Sequence, residues 1–128
     1  MRLLLDTHTL IWFVLNNPRL STTARALIFN PANDILISPA TYWEIAIKVS
    51  SSNYILNEPY DDFIKRAIEG NNMAILPIEP KHTSALIGLP YHHRDPFDRL
   101  IIAQAIVEGI PIVGVDAKFD DYPVTRLW

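Results

Sequence analysis

Apolar residues in this chain fall into short unbroken runs, separated by longer stretches in which they recur every three or four positions. That alternation predicts strands followed by helices. Arg2 to Leu5 is a brief apolar run ending at Asp6, and beyond it Leu10, Ile11, Val14 and Leu15 take helical spacing within Thr7 to Leu15. The order is strand, acid, helix. Asn16, Asn17 and Pro18 break that helix, and Ser21 supplies the N-cap of a second one reaching about Asn30. After a turn over Asn30 to Asn33, Ile35 to Ile37 forms a second strand. Ser38 as N-cap and Pro39 at the first helical position start a third helix, which carries Tyr42, Trp43, Glu44, Ile45, Ile47 and Lys48 and ends over Ser50 to Asn53.

Glu58 to Asp62 opens a fourth helix, with acids in its first turn as the helix dipole favours, and Gly70 stops it after Ile68. Ala74 to Ile78 is a third strand whose Pro77 points to a strand end or a sheet edge. Glu79 to Leu89 is a short helix. Gly109 stops the helix that follows, Ile110 to Val115 is a fourth apolar run ending in an acid, Asp116, Ala117 to Asp121 makes one helical turn, and Val124 to Trp128 is a last strand. Strands alternating with helices predict an α/β domain with a mainly parallel central sheet. Nothing divides the chain into repeats or linked parts, so residues 1–128 read as a single domain.

The densest stretch is HHRDPFDRLIIAQA, from His92 to Ala105. Asp95 and Pro96 start its helix as N-cap and N1, which places Asp98 at N3. An acid at each position resembles a capping box and suits the positive end of the helix dipole. Leu100 to Val107 is nearly continuous apolar sequence, however, and a helix apolar all round is a buried one. Its N-terminus carries two acids to the rim of a core, where they need partners, and a metal ion is one.

Composition narrows the chemistry. With no cysteine among 128 residues, disulfides, thiolate zinc sites and cysteine nucleophiles are excluded. No apolar run is long enough to span a bilayer, and the first one meets Asp6 at once, so neither a membrane helix nor a signal peptide is expected and the protein reads as cytoplasmic. A net charge of −3 argues against an indiscriminate nucleic-acid binder. Two divalent ions held by the acids would carry that charge from −3 to +1, and the loaded protein would no longer repel phosphate.

In a parallel sheet, ligands bind outside the carboxyl ends of the strands. Asp6 and Asp116 both fall at that edge, Asp98 starts a buried helix, and Glu44 sits on a helix crowded with apolar side chains. Glu44 and Lys48 also stand at i, i+4, the spacing of an ordinary surface ion pair. Together the acids suggest a divalent-metal site of oxygen ligands suited to Mg²⁺ or Mn²⁺.

The blocks LLLDTHTLIWF, SPATYWEIAIKVS, HHRDPFDRLIIAQA and IPIVGVDAKF span the chain. In them it resembles the PIN-domain ribonucleases, and more closely the VapC-like toxins of type II toxin–antitoxin systems. The resemblance implies a Rossmann-like three-layer α/β/α sandwich in which Asp6, Glu44, Asp98 and Asp116 bind one or two Mg²⁺ or Mn²⁺ ions for cleavage of RNA. It leaves Asp95 as an accessory acid or a helix cap, and Lys48, Arg94 and Arg99 as phosphate contacts or as charge balance for the acids. It also implies a homodimer and a small antitoxin whose segment enters the active-site groove. Two places depart from the pattern. Gly114 stands where a Thr or Ser is common, so a hydroxyl that could support a metal or water ligand is missing, and Ser51, Ser52 and Asn53 replace a Gly- and Lys-bearing loop.

Competing readings rest on fewer residues. His92 and His93 lack the i, i+4 spacing of a helical zinc motif and read as loop residues. Trp12, Phe13, Tyr42 and Trp43 stand at helical spacing and read as core or interface aromatics rather than base-stacking groups. Asp6-Thr7-His8-Thr9 resembles the start of a haloacid-dehalogenase phosphatase, but His8 occupies the place of its second aspartate. A PIN-like fold kept only as a binding module is the non-enzymatic alternative.

Overall fold

The computed structural model describes residues 1–128. Five parallel strands form one sheet in the order β3-β2-β1-β4-β5: β1 Arg2–Leu5, β2 Asp34–Ile37, β3 Ala74–Ile75, β4 Ile112–Val113 and β5 Arg126–Leu127. Six helices connect them: α1 Thr7–Val14, α2 Thr22–Phe29, α3 Pro39–Ser50, α4 Tyr60–Ile68, α5 Pro80–Ile87 and α6 Pro96–Glu108.

Side-chain alternation along the strands builds the layers. Leu3 and Leu5 of β1, Ile35 and Ile37 of β2 and Val113 of β4 face a core closed by Leu10 of α1, Ala24 and Ile28 of α2, and Ala67 and Ile68 of α4. Leu4, Leu36 and Ile112 face the other way, onto Ala40 of α3 and Ile101, Ile102 and Ala105 of α6. A strand apolar on both faces is what a parallel sheet covered by helices on both sides requires. The result is the three-layer α/β/α sandwich anticipated above.

The chain works outwards from β1 through β2 to β3, then crosses back by α5 and α6 to place β4 on the other side of β1. The order therefore reverses between β1 and β4, and the crevice at such a switch point is where open α/β sheets take ligands. Asp6 and Asp116 follow those two strands.

The ends of several elements differ from expectation. Pro77 has no N–H to give, and β3 is a two-residue edge strand; Gln104 of α6 donates to the Leu76 and Pro77 carbonyls just beyond it. The fourth and fifth strands are likewise two residues each, shorter than Ile110–Val115 and Val124–Trp128. Gly70 is not the stop of α4. The chain continues through a 3₁₀ turn over Glu69–Asn71, and Asn72 takes the left-handed conformation at φ 54°. Asn tolerates that region, so the residue ending the turn need not be Gly. Gly109, by contrast, ends α6 at φ 65° as expected.

Candidate metal centre

Three acids at the carboxyl edge are held by one local device. Asp6 is the N-cap of α1 and its Oδ1 accepts the Thr9 N–H at 2.8 Å. Asp95 is the N-cap of α6 and its Oδ1 accepts the Phe97 and Asp98 N–H groups, each at 2.9 Å. Asp116 caps the 3₁₀ turn Ala117–Asp121, its Oδ1 accepting the Lys118 N–H at 2.9 Å. Each cap occupies one carboxylate oxygen and leaves the second for the space beyond the helix end. Capping and ligation are therefore compatible roles for a single residue here.

The capping pair expected at α6 is half built. Asp95 caps, while Asp98 turns its Oδ2 to within 3.0 Å of His93 Nε2. Glu44 is 4% exposed, and its two oxygens are claimed separately: Oε1 accepts the Thr7 hydroxyl at 2.8 Å, and Oε2 meets Lys48 Nζ at 2.8 Å. The i, i+4 pair thus exists, but as a half-exposed lysine reaching a buried carboxylate rather than as a surface pair.

Glu44, Asp95 and Asp98 bring one ligand atom each within 4.8 Å of one another, and so do His93, Asp98 and Asp116. Asp98 belongs to both groups. Asp6 belongs to neither group, although its charge acts on Asp98; its Oδ1 lies 2.5 Å from the Thr9 hydroxyl, which also contacts the Val113 carbonyl at 2.9 Å. A Cβ on Gly114 would stand 2.8 Å from Asp6 Oδ2 and 2.9 Å from the Phe119 ring. The glycine is therefore a space that the Asp6 carboxylate uses, and a Thr or Ser could not enter this packing unless both neighbours moved.

Electrostatics at the cluster are strained by like charge. Burial, with added repulsion from Asp95, Asp6, Glu44 and Asp116, pushes Asp98 up to about 8 from 3.8. Burial also raises Asp6, against the opposing effect of the Thr9 hydroxyl and amide bonds. Carboxylates that repel one another this strongly suit a hard divalent ion, which would take the place of the retained proton. The residues present fit Mg²⁺ or Mn²⁺.

A second group, Glu79, His82 and Glu108, lies at the opposite edge of the sheet. There Glu108 already has Lys81 at 3.2 Å, His82 at 3.1 Å and Arg2 at 3.5 Å, so its charge is balanced without an ion.

Of the basic candidates, Arg94 is exposed and Lys48 pairs with Glu44. Arg99 takes neither role suggested for it. It is 5% exposed, donates to the carbonyls of Leu89, Pro90 and His93 at 2.9 to 3.3 Å, and lies 4.0 Å from the Tyr91 ring. It braces the loop before α6.

His93 lies on the loop before α6, as read, but it is buried among the acids rather than free. It is 7% exposed and its Nε2 lies 3.0 Å from both Asp98 Oδ2 and Asp116 Oδ2. The readable signal was its place two residues before an N-cap, close enough for the ring to fold back over the Asp95 amide. His92 is exposed, with its ring 5.3 Å from that of Tyr122. His8 is exposed beside Trp12, so the position that a phosphatase would fill with its second aspartate lies outside the acid cluster. Trp12, Phe13 and Tyr42 pack against the first core, whereas Trp43 is exposed and meets Phe97 edge to face at 5.1 Å.

Fold and site together define a doubly wound α/β domain with a cluster of carboxylates at its topological switch point. A family model described as PIN domain matches residues 3–124, and the chain belongs to that family. Among solved structures it is similar to a chain of VapBC2 from Rickettsia felis bound to a DNA fragment from its promoter, at 20% identity and a TM-score of 0.70, over 98% of this chain and 97% of that one. It is also similar to a chain of VapBC-1 from nontypeable Haemophilus influenzae, at 16% identity and a TM-score of 0.62, over 98% and 96%. A third likeness is to FitAcB from Neisseria gonorrhoeae, at 16% identity and a TM-score of 0.63, over 97% and 95%. At these identities the likeness is one of fold. Comparison with curated proteins gives no match.

Proposed function

We propose that the protein is a metal-dependent endoribonuclease that hydrolyses RNA phosphodiester bonds as the toxin of a type II toxin–antitoxin pair. One observation carries the reading: Asp98 stands among Glu44, Asp95, Asp116 and the charge of Asp6 with no lysine or arginine paired to it. In this reading Asp6, Glu44, Asp98 and Asp116 hold Mg²⁺ or Mn²⁺, and Asp95 lends its uncapped oxygen. When bound, a divalent ion supplies the Lewis acidity that phosphodiester hydrolysis needs, countering the phosphate charge and favouring the hydroxide form of water. The chain's own part is placement. Thr7 and Thr9 fix the Glu44 and Asp6 carboxylates, and the caps fix Asp95 and Asp116, so little reorganisation remains when substrate arrives. Lys48, paired with Glu44 at the edge of the cluster, and the exposed Arg94 are the basic groups that can meet phosphate.

The toxin assignment rests on family membership and on the sequence blocks, and the VapBC neighbours support it through the fold. It brings with it a cognate antitoxin, a homodimer and a cytoplasmic site of action. The missing hydroxyl at Gly114 would suit the binding-module alternative, but the close approach of Asp6 gives that glycine another cause.

The test is cleavage of a structured RNA pool by purified, antitoxin-free protein with Mg²⁺ or Mn²⁺, beside Asp6→Asn, Asp98→Asn and an EDTA control. Cutting that needs metal and is lost in both variants is the expected result. No cutting together with no detectable Mn²⁺ binding by calorimetry would leave the binding module.

A further inference from the structure

His93 is the one nitrogen base inside the acid cluster, and the hydrogen-bond polarity around its ring decides what it can do there. The Asp95 N–H points at Nδ1, at 3.2 Å. Nδ1 therefore accepts, and in a neutral imidazole the remaining ring proton is on Nε2. Nε2 hydrogen-bonds Asp116 Oδ2 at 3.0 Å and lies equally close to Asp98 Oδ2.

Histidines that bind a metal through one nitrogen usually donate the other N–H to a carbonyl or carboxylate. Here the second nitrogen faces a donor, the reverse polarity. Freeing an Nε2 lone pair would put a proton on Nδ1, head-on to the Asp95 N–H. That amide cannot turn away without disturbing the cap of α6. The ring is also clamped on its other sides: the His93 N–H donates to the Tyr122 hydroxyl at 2.8 Å, its carbonyl accepts from Arg99 at 3.3 Å, and its ring centroid lies 6.0 Å from that of Phe119.

We propose that His93 is a positioning residue of the metal centre and not a ligand: its Nε2–H stands between Asp98 and Asp116 and holds these two carboxylates together before the ion arrives. The two acids come from different elements, the first turn of α6 and the end of β4, and the charge of Asp116 adds to the raised proton affinity of Asp98. A donor within 3.0 Å of both ties their positions together and keeps their free lone pairs aimed into the cluster. His82 shows the same polarity at the far edge of the sheet, with the Glu79 N–H on Nδ1 and Glu108 on Nε2, so the chain uses this arrangement twice. At His93, unlike at His82, neither acid has a lysine or arginine within ion-pair distance.

The inference rests on the metal reading above, and the test separates the two. Mn²⁺ affinity is measured by calorimetry on the full chain for wild type, His93→Ala and His93→Gln, with melting temperatures alongside to correct for any unfolded fraction. The Mn²⁺-loaded wild type is then examined by electron spin-echo envelope modulation. His93→Ala is expected to bind Mn²⁺ about tenfold or more weakly, the usual scale for losing a group that orients a ligand. His93→Gln, which keeps an N–H donor of similar reach, recovers most of that loss, and the spectrum shows no directly bound nitrogen. A bound-nitrogen coupling in wild type that vanishes in His93→Gln would make His93 a ligand and overturn the proposal. Equal or tighter affinity in His93→Ala would overturn it in favour of a ring that only fills space. Absence of Mn²⁺ binding by wild type would remove the metal reading and this inference together.

Discussion

Asp98→Asn separates the cost of the acid cluster from its use. Asp98 is pushed up to about 8 from 3.8 by burial first and by Asp95, Asp6, Glu44 and Asp116 after it. Between those two pH values the unfolded chain has released the proton and the folded, metal-free protein retains it. The unfolded state then binds fewer protons, so stability falls as pH rises through this window. At about 1.4 kcal/mol per unit, raising the pH from about 5 to about 8 removes on the order of 4 kcal/mol. The Asp98 side chain is 21% exposed, so water trims this only in part, and about 3 kcal/mol is the working figure. Asn fills nearly the same volume and has no proton to lose. In EDTA the wild type should therefore lose roughly 10 °C more in melting temperature than Asp98→Asn across that range. Added Mn²⁺ reverses the order: it stabilises the wild type increasingly as pH rises, because it binds the deprotonated carboxylate, and it leaves the variant nearly unchanged. Because the slope with pH is compared, a constant packing effect of the substitution drops out. Parallel pH profiles for the two proteins would refute the reasoning.

Four further outcomes follow, three from contacts at or near the site and one from a backbone angle. Gly114→Ser drives a Cβ against Asp6 and Phe119, so it is expected to cost about 1–3 kcal/mol in urea denaturation and to weaken Mn²⁺ binding; tighter binding would mean that a missing hydroxyl was the real deficit. Thr9→Val removes the hydroxyl that joins Asp6 to the Val113 carbonyl, at about 1–2 kcal/mol of stability, and calorimetry should show weaker Mn²⁺ binding. Arg99→Lys cannot span the three loop carbonyls, and a loss on the order of 2–3 kcal/mol, with reduced cleavage as His93 is released, is the result to look for. Ser52 sits in the left-handed region at φ 61°, so Ser52→Gly should raise the melting temperature by the equivalent of about 0.5–1 kcal/mol, and no change would show that the loop relaxes at no cost.

What was legible in the sequence and what was not divide along a physical line. Strand β1, the caps Ser21, Ser38 and Asp95, and the stop at Gly109 are set by residues within a few positions of each other, and local rules recover them. The lengths of β3, β4 and β5 depend on which neighbour offers a hydrogen-bond partner, so apolar runs overstate them. Asn72 took the place expected for Gly70 because the chain carried a 3₁₀ turn past the end of α4. Arg99 could have been read better. A helix apolar all round buries its own charged residues too, and an arginine there must find carbonyls, which leaves it unavailable to phosphate. His93 was harder, since nothing along the chain says that its ring reaches Asp116, which lies 23 residues further on.

The acids themselves show why cap and ligand could not be told apart from the sequence. A residue that ends a buried strand and starts a helix meets unpaired N–H groups at the carboxyl edge of the sheet, and Asp satisfies them with one oxygen. In a parallel sheet that same edge is where the crevice opens, so the second oxygen faces it without further cost. The cap also fixes the carboxylate's direction, and that rigidity is what a ligand needs. Selection for a well-ended helix and selection for a metal ligand therefore favour the same residue at Asp6, Asp95 and Asp116. Asp98 stands outside this coincidence. It caps nothing, it keeps a proton near neutral pH, and its neighbours make the metal-free protein less stable for its presence. A residue that weakens the metal-free fold and caps nothing is the one whose place the proposed ion would explain.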